Sequence, residues 1–125
     1  MIIRGTTPTH IFDLPLEVSK IADLRLSYAQ EVAVEVEAEE GEAEEGAEPL
    51  IKHEIQEFIT KKKEDVTLED TMLKVTLSQE ETLEINKSNN VVFVQLRIRT
   101  TDGAVLSSGI MNVEVWDTLN EDVLV

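Results

Sequence analysis

The sequence predicts an all-β fold, an immunoglobulin-like antiparallel β-sandwich of about seven strands with one short helical turn and a protruding acidic hairpin. Three observations support this fold class. Short segments alternate apolar and polar residues with the period of a half-buried strand, turn residues separate these segments, and helical periodicity is scarce. At 125 residues the chain matches a single domain, residues 1–125, which can bury a core without the disulfides that its lack of cysteine rules out.

The first strand is predicted within residues 7–15, where Pro8 and Pro15 stand at its two borders. Proline has no backbone N–H and therefore interrupts a hydrogen-bonded ladder. Strands bordered in this way are typical of sheet edges. The sequence thus indicates an edge strand here.

A long strand is predicted from about residue 21 to residue 36. Leu24, Leu26 and Tyr28 alternate with polar residues, and alternation resumes beyond residue 31 with three valines. Gln30 and Glu31 break the pattern, which indicates a bulge or the point where the strand leaves the core.

The segment that follows, residues 31–48, is strongly acidic. Residues 31–48 contain nine glutamates and no lysine or arginine, which is more than half of the net charge of −15. Residues 37–49, which we call the acidic tract, are rich in Glu, Ala and Gly. They cannot bury apolar surface, and their like charges repel one another. We expect a solvated loop or hairpin tip.

Residues 50–63 fit two structures. Ile51, Ile55, Phe58 and Ile59 have helical spacing, whereas residues 55–63 also fit a strand that returns antiparallel to residues 28–36. We favour the strand. On that interpretation residues 31–57 form an acidic hairpin inserted in the sandwich.

The second half of the chain has sharper signals. Short strands are predicted around residues 66–68 and 72–77, and Ser78 with Glu81 forms a capping box that begins one helical turn. Residues 91–100 alternate most regularly and form the clearest strand. Gly103 supports a hairpin turn at residues 101–104, Gly109 indicates a bulge, and residues 111–116 form the last strand.

Charge and hydropathy exclude several classes of function. With 26 acidic and 11 basic residues, the chain lacks the basic footprint of a nucleic-acid binder. The apolar run at the N-terminus is too short for a signal peptide, and no apolar stretch reaches the length of a membrane span. We therefore expect a soluble protein with neither nucleic acid nor membrane as its partner.

No catalytic or metal-binding constellation is recognisable, so we predict that the protein is not an enzyme and uses no cofactor. His10 and His53 do not have the spacing of metal ligands, and both are interpreted as ordinary strand or surface residues. The acidic tract lacks the Asp/Asn ligands around a glycine turn that a calcium loop needs. The five glycines form no phosphate-binding loop. No catalytic residue is assigned.

Two groups of residues are candidates for contact with a partner protein. Phe93, Arg97 and Arg99 share one face of the predicted strand 91–100, which is either a contact surface or a solvated face that balances nearby glutamates. Trp116 is predicted to plug the core or its end. The second group is a set of glutamates that could meet a basic partner: Glu39, Glu40, Glu42, Glu44 and Glu45.

Five blocks of sequence resemble a family of small, uncharacterised, virion-associated β-sandwich proteins encoded by tailed phages and prophages of Gram-positive gut bacteria. The acidic insertion departs from that group, whose members have a short hairpin there. The blocks are residues 3–9 (IRGTTPT), 24–30 (LRLSYAQ), 77–83 (LSQEETL), 94–99 (VQLRIR) and 120–124 (NEDVL).

The resemblance implies a virion setting without enzymatic activity. It leads to the hypothesis of a structural or adaptor protein in a tail, baseplate or head decoration, made in the host cytoplasm and assembled into the virion. Its partners would be other virion proteins, and it would be a homo-oligomer or present in many copies. The alternative is a phage-encoded acidic inhibitor that mimics nucleic acid. That alternative is weakened because nine glutamates lie in one segment rather than in duplex-like rows.

Replacing residues 37–49 with an Asn-Gly turn should leave the melting temperature nearly unchanged, because the acidic tract contributes nothing to a core and loop length costs little entropy. Thermal unfolding followed by circular dichroism measures this. A decrease of more than about 10 °C, equivalent to a few kcal/mol for a domain of this size, would show that the tract packs against the sandwich.

Overall fold

The computed structural model describes residues 1–36, 50–86 and 89–124, and this part of the chain contains nine strands. One α-helix, α1 (Gln79–Leu83), and two 3-10 turns, Val18–Lys20 and Lys63–Asp65, accompany them. The strands are β1 (Ile2–Ile3), β2 (Thr9–Asp13), β3 (Ile21–Val36), β4 (Leu50–Lys62), β5 (Thr67–Glu69), β6 (Met72–Thr76), β7 (Val91–Thr100), β8 (Val105–Ser107) and β9 (Met111–Trp116).

The strands form two sheets, and the prediction of an all-β sandwich is confirmed. The large sheet has the order β1-β9-β7-β3-β4, with β8 also paired to β7, and the small sheet has the order β2-β6-β5. All pairings are antiparallel except that of β1 with β9. In immunoglobulin nomenclature these orders correspond to G-F-C-C′ and B-E-D.

The core lies between the sheets because alternate residues of each strand are apolar. Leu24, Leu26 and Tyr28 of β3 are fully or almost fully buried, whereas Arg25 between them is exposed. The same period of two buries four residues of β7. The core residues are Ile2, Leu14, Ile21, Leu24, Leu26, Tyr28, Ile59, Leu73, Val75, Leu77, Ile85, Val92, Val94, Leu96, Ile98 and Val115.

The hairpin of β3 and β4 extends past the rest of the large sheet. β7 pairs with β3 only as far as Ala29, whereas β4 pairs with β3 up to Val36. The strand interpretation of residues 50–62 is therefore confirmed, and the helical alternative is wrong. The predicted break in β3 lies slightly earlier than expected, as a register shift between Tyr28 and Ala29. The acidic tract itself lies outside the described residues.

Several local predictions are confirmed by their geometry. The Ser78 hydroxyl accepts a hydrogen bond from the Glu81 amide at 3.1 Å, and the Glu81 carboxylate accepts one from the Ser78 amide at 2.9 Å. Gly103 has φ of +91° in the turn after β7. Near Gly109, β8 and β9 are separated by three residues, and there the Leu96 amide donates to the Ser108 hydroxyl at 2.9 Å.

Arg4 joins the two ends of the chain to helix α1. It is only 4% exposed, and its main chain donates to the carbonyl of Trp116 at 2.9 Å. Its guanidinium donates to the carbonyls of Leu83 and Ile85, at 2.7 and 3.0 Å, and to the carboxylates of Asp117 and Glu121, at 2.5 and 2.8 Å. This network holds β1 beside β9.

Arg4→Met should destabilise the protein by about 3 kcal/mol, because it removes the guanidinium that donates to two largely buried carbonyls and to two carboxylates. For a domain of this size the loss is roughly 10 °C in melting temperature. Thermal unfolding of Arg99→Met, a similar change at an exposed position, provides the control and should differ little from wild type. Equal losses in both variants would contradict the role assigned to Arg4.

Candidate docking surfaces

The side of the large sheet that faces away from the core, which we call the outer face, carries the candidate residues of strand β7. Antiparallel register places Phe93 opposite Ala29, Gln95 opposite Ser27, Arg97 opposite Arg25 and Arg99 opposite Asp23. Directly opposed residues in an antiparallel pair lie on the same face. Phe93, Arg97 and Arg99 therefore lie on one surface, as the sequence predicted.

One half of the outer face is a shallow apolar pocket of about 380 Å³. Phe93 forms its floor with Ile55 of β4 and Ile110, the residue before β9. Ile55 is 64% exposed and Ile110 is 61% exposed, and Glu57 and Arg97 stand at the margin. A cluster of exposed apolar side chains rimmed by charge is typical of a protein contact.

The other half is basic. Lys62 of β4 lies opposite Arg25, and Arg25 lies opposite Arg97, so three cations stand in register across three neighbouring strands. Arg99 follows two residues later on β7, beside a shallow cleft of about 330 Å³ lined also by Arg25 and Arg97. All four side chains are exposed. We call Lys62, Arg25, Arg97 and Arg99 the basic row.

Asp23 partly neutralises one end of the basic row. Its carboxylate accepts a hydrogen bond from Arg25 at 2.8 Å. That bond, supported by the backbone amide of Leu24 and the charges of Arg25 and Arg99, holds the pKa of Asp23 below its ordinary value. Arg97 and Arg99 form no ion pair with any residue that the structure describes. The row therefore retains a positive field.

The sequence identified only part of this surface. Arg25, Lys62, Ile55 and Ile110 were not singled out, although the alternation around Arg25 marks it as an outward residue. These residues lie close together because of the strand register, which the sequence does not specify. The glutamates Glu39, Glu40, Glu42, Glu44 and Glu45 lie outside the described residues.

A second surface lies at the open side of the sandwich, between β2 and β8. In immunoglobulin domains with an A-B-E-D sheet, a first strand covers strand B. Here β1 pairs with β9 instead, so β2 forms the edge of the small sheet. The edge position predicted for residues 7–15 is thus confirmed, and β8 forms the facing edge of the large sheet.

An apolar groove of about 360 Å³ lies between these edges. The buried residues Leu14, Leu96 and Ile98 form its floor, while Leu106 and Met111 line the wall on the side of the large sheet. Leu106 is 41% exposed and Met111 is 36% exposed. We call this feature the strand groove.

The edge of β2 presents unpaired main-chain N–H and C=O groups to the strand groove. On its inner side, the Pro8 carbonyl accepts from the Leu77 amide at 3.0 Å and the Leu14 amide donates to the Thr71 carbonyl at 2.7 Å. Main-chain groups alternate sides along an antiparallel strand. The even-numbered residues thus bond to β6, and the N–H and C=O groups of Thr9, Ile11 and Asp13 point to the open edge.

The prediction for Trp116 is wrong. Its side chain is 54% exposed, and its indole N–H donates to the Glu114 carboxylate at 3.0 Å. Trp116 is the last residue of β9, and its inward neighbour Val115 occupies the core position instead.

His10 is a half-buried residue of β2 that packs against the core. Its Nδ1 shares a hydrogen bond of 2.7 Å with the Tyr28 hydroxyl, and the two rings stack with centroids 5.8 Å apart. Its buried Nε2 has no hydrogen-bond partner among the described residues. Burial, and secondarily the positive N-terminal amine, lowers the pKa of His10. Burial also raises the pKa of Tyr28, which keeps its hydroxyl neutral.

Within residues 1–36, 50–86 and 89–124, no three His, Asp or Glu side chains are grouped closely enough to hold a metal ion. Nor does any helix there have the length and apolar character needed to cross a membrane. Comparisons with protein families, with characterised proteins and with solved structures find no match to this chain. The outer face and the strand groove are therefore the features of the molecule that bear on its function.

Protonation of His10 should destabilise the fold. Because its pKa is lower when folded, the unfolded chain binds more protons, and the stability present above about pH 6.5 decreases as pH falls below that value, by at most about 1.4 kcal/mol per pH unit. Urea unfolding between pH 7.5 and 5.5 measures the loss. The loss should disappear in His10→Gln and persist in His53→Gln; a persistent loss in His10→Gln would contradict this assignment.

Proposed function

We propose that the protein is a non-enzymatic docking protein that receives an extended segment of a partner as an added strand in the strand groove. The observation that carries this proposal is the unpaired edge of β2 facing an apolar groove where A-B-E-D sandwiches have a strand. Partner and groove would be joined by main-chain hydrogen bonds and by alternate apolar side chains, as in other β-strand additions.

The chemistry of the groove defines the partner segment. Three residues of β2 offer main-chain groups, so a segment of about five residues would pair along the edge. Every second side chain of that segment would point at Leu96, Ile98 and Leu106 and should be apolar. Burying two such side chains contributes about 3–6 kcal/mol before the cost of ordering the segment.

The proposed setting is a tailed-phage virion, where the protein would join or decorate other structural proteins of a tail, baseplate or head. The resemblance of the five sequence blocks supports this setting. A virion also presents many copies of each partner, which suits a small adaptor whose contacts are individually modest. Copies of the protein would be made in the host cytoplasm and incorporated during assembly.

The alternative of a nucleic-acid mimic is less well supported. A mimic needs carboxylates in rows on the surface that faces a DNA-binding groove. The broad outer face of this protein instead carries the basic row, which a DNA-binding groove would repel.

Leu106→Glu should reduce the number of copies in phage particles at least about tenfold, because it places a charge in the wall of the strand groove against the apolar partner segment. Quantitative mass spectrometry of gradient-purified particles of the encoding phage measures the copies. Leu119→Glu, the same change at a fully exposed position, is the control and should be incorporated normally. Both variants should first be shown by circular dichroism to fold.

Hydrogen exchange offers an independent measurement on the wild-type protein. The amides of Ile11 and Asp13 should exchange quickly in the purified protein and slowly in intact particles, because a docked strand would accept their hydrogen bonds. Absence of the protein from particles, with recovery from infected cells in complex with a DNA-handling enzyme, would overturn the structural proposal in favour of the inhibitor.

A further inference from the structure

We infer that the basic row is the binding site for the acidic tract of a second copy of this chain, so that copies associate head to tail. This inference rests on the proposed function, since it supplies the contact between neighbouring copies of a multi-copy docking protein. It uses a surface different from the strand groove, and the two can therefore fail separately.

The opposed positive charges of the basic row lower the stability of the isolated fold. Arg25 stands directly opposite Arg97, and Lys62 stands directly opposite Arg25 on the other side. Like charges opposed across strands destabilise a sheet. A chain with 26 acidic residues could place carboxylates beside these cations, yet among the described residues Asp23 is the only one whose carboxylate pairs with a side chain of the row, and Asp65 accepts only from the main-chain amide of Lys62. The remaining positive charge is available to a ligand.

The positive charge of the row requires an acidic ligand, and the chain itself contains an acidic segment. Residues 31–48 carry nine glutamates and no cation, whereas four of the eleven lysines and arginines form the basic row. Guanidinium groups bind carboxylates with directed, charge-assisted hydrogen bonds. Arg25, Arg97 and Arg99 provide such groups along one side of the cleft. The tract and the row are thus chemically complementary.

A copy is poorly placed to satisfy its own basic row. Arg25 lies eleven residues before Val36 on β3, a separation of about 36 Å at the rise of an extended strand. The acidic tract is anchored at both ends, by Val36 and Leu50, which pair with each other. Even fully extended, its midpoint can lie no more than about 25 Å from that anchor. The tract of the same copy would have to be fully extended and would still leave about 11 Å between its main chain and the row, whereas the tract of another copy has no such constraint.

The geometry also defines the symmetry of the assembly. The row includes Arg25, near the start of β3, and the tract follows the last residue of that strand, so each copy has one acceptor surface and one separate donor segment. Such heterologous contacts close into rings when the rotation between copies permits and otherwise continue as open chains. Both arrangements give many identical copies.

Salt should control this contact. Whole copies with a net charge of −15 repel one another at long range, whereas the tract and the row attract at contact distance. At about 0.15 M salt the Debye length is about 8 Å, so the long-range repulsion is screened more than the contact. At about 1 M salt the screening length falls to about 3 Å, and exposed charge pairs lose most of their attraction.

Sedimentation velocity of three variants tests the inference. The row variant is Arg25→Gln with Arg97→Gln, and its control is Lys52→Gln with Lys74→Gln, which also removes two positive charges, from side chains outside the row that are 65% and 40% exposed. The tract variant changes Glu39, Glu40, Glu42, Glu44 and Glu45 to Gln. Circular dichroism should show that all three retain the wild-type melting temperature within a few degrees.

Wild type and the control should associate at about 0.15 M salt and dissociate at about 1 M. The row variant and the tract variant should each weaken association by about tenfold or more. The result for the tract variant is especially informative, because removing five negative charges reduces general repulsion and would otherwise favour association. Mixing the two defective variants should give a one-to-one heterodimer, since one intact tract then meets one intact row and no further copy can add.

Three results would overturn the inference: a wild-type protein that remains monomeric at about 0.15 M salt, a row variant that associates like its control, or a mixture that forms no heterodimer. These results leave the docking function intact if Leu106→Glu still prevents incorporation into particles. Conversely, self-association of a protein absent from particles would support the tract and row contact while overturning the virion function.

Discussion

The pairing of the first strand with the last determines what the rest of this sandwich can do, and Arg4 holds that pairing in place. Its guanidinium binds carbonyls at the end of helix α1 and carboxylates after β9. A buried arginine with these partners fixes β1 beside β9. Because a strand cannot lie in both sheets at one position, β2 is left as an edge, and the strand groove follows from that choice.

An exposed edge is normally a risk, since unpaired N–H and C=O groups invite aggregation. This protein limits that risk in several ways. β2 has only five residues, Pro8 adjoins its first residue, Pro15 lies two residues beyond its last, and Asp13 places a charge at the rim. The net charge of −15 adds repulsion between copies. These features limit indiscriminate pairing and leave the strand groove open to the partner segment proposed above.

Sequence alone predicted the sandwich, the edge position of β2, the capped helix at Ser78 and the long strands, because each depends on local alternation or turn chemistry. It also placed Phe93, Arg97 and Arg99 on one face, since a period of two determines that directly. The basic row and the apolar pocket required strand register, which brings Arg25, Lys62 and Ile55 to β7 from elsewhere in the chain. Arg4 was missed because its partners are up to 117 residues away. Trp116 was misplaced, although the strand alternation at Val115 directs it outward.

Strand β7 belongs to both surfaces, and its pleat explains why they need not compete. Leu96 and Ile98 point inward and form the floor of the strand groove, whereas Arg97 and Arg99 point outward and form half of the basic row. Successive side chains of a strand lie on opposite faces of the sheet. A partner segment in the groove and the acidic tract of a neighbouring copy would therefore approach β7 from opposite sides. One rigid strand can then support both proposed contacts at once, as the proposed adaptor role requires.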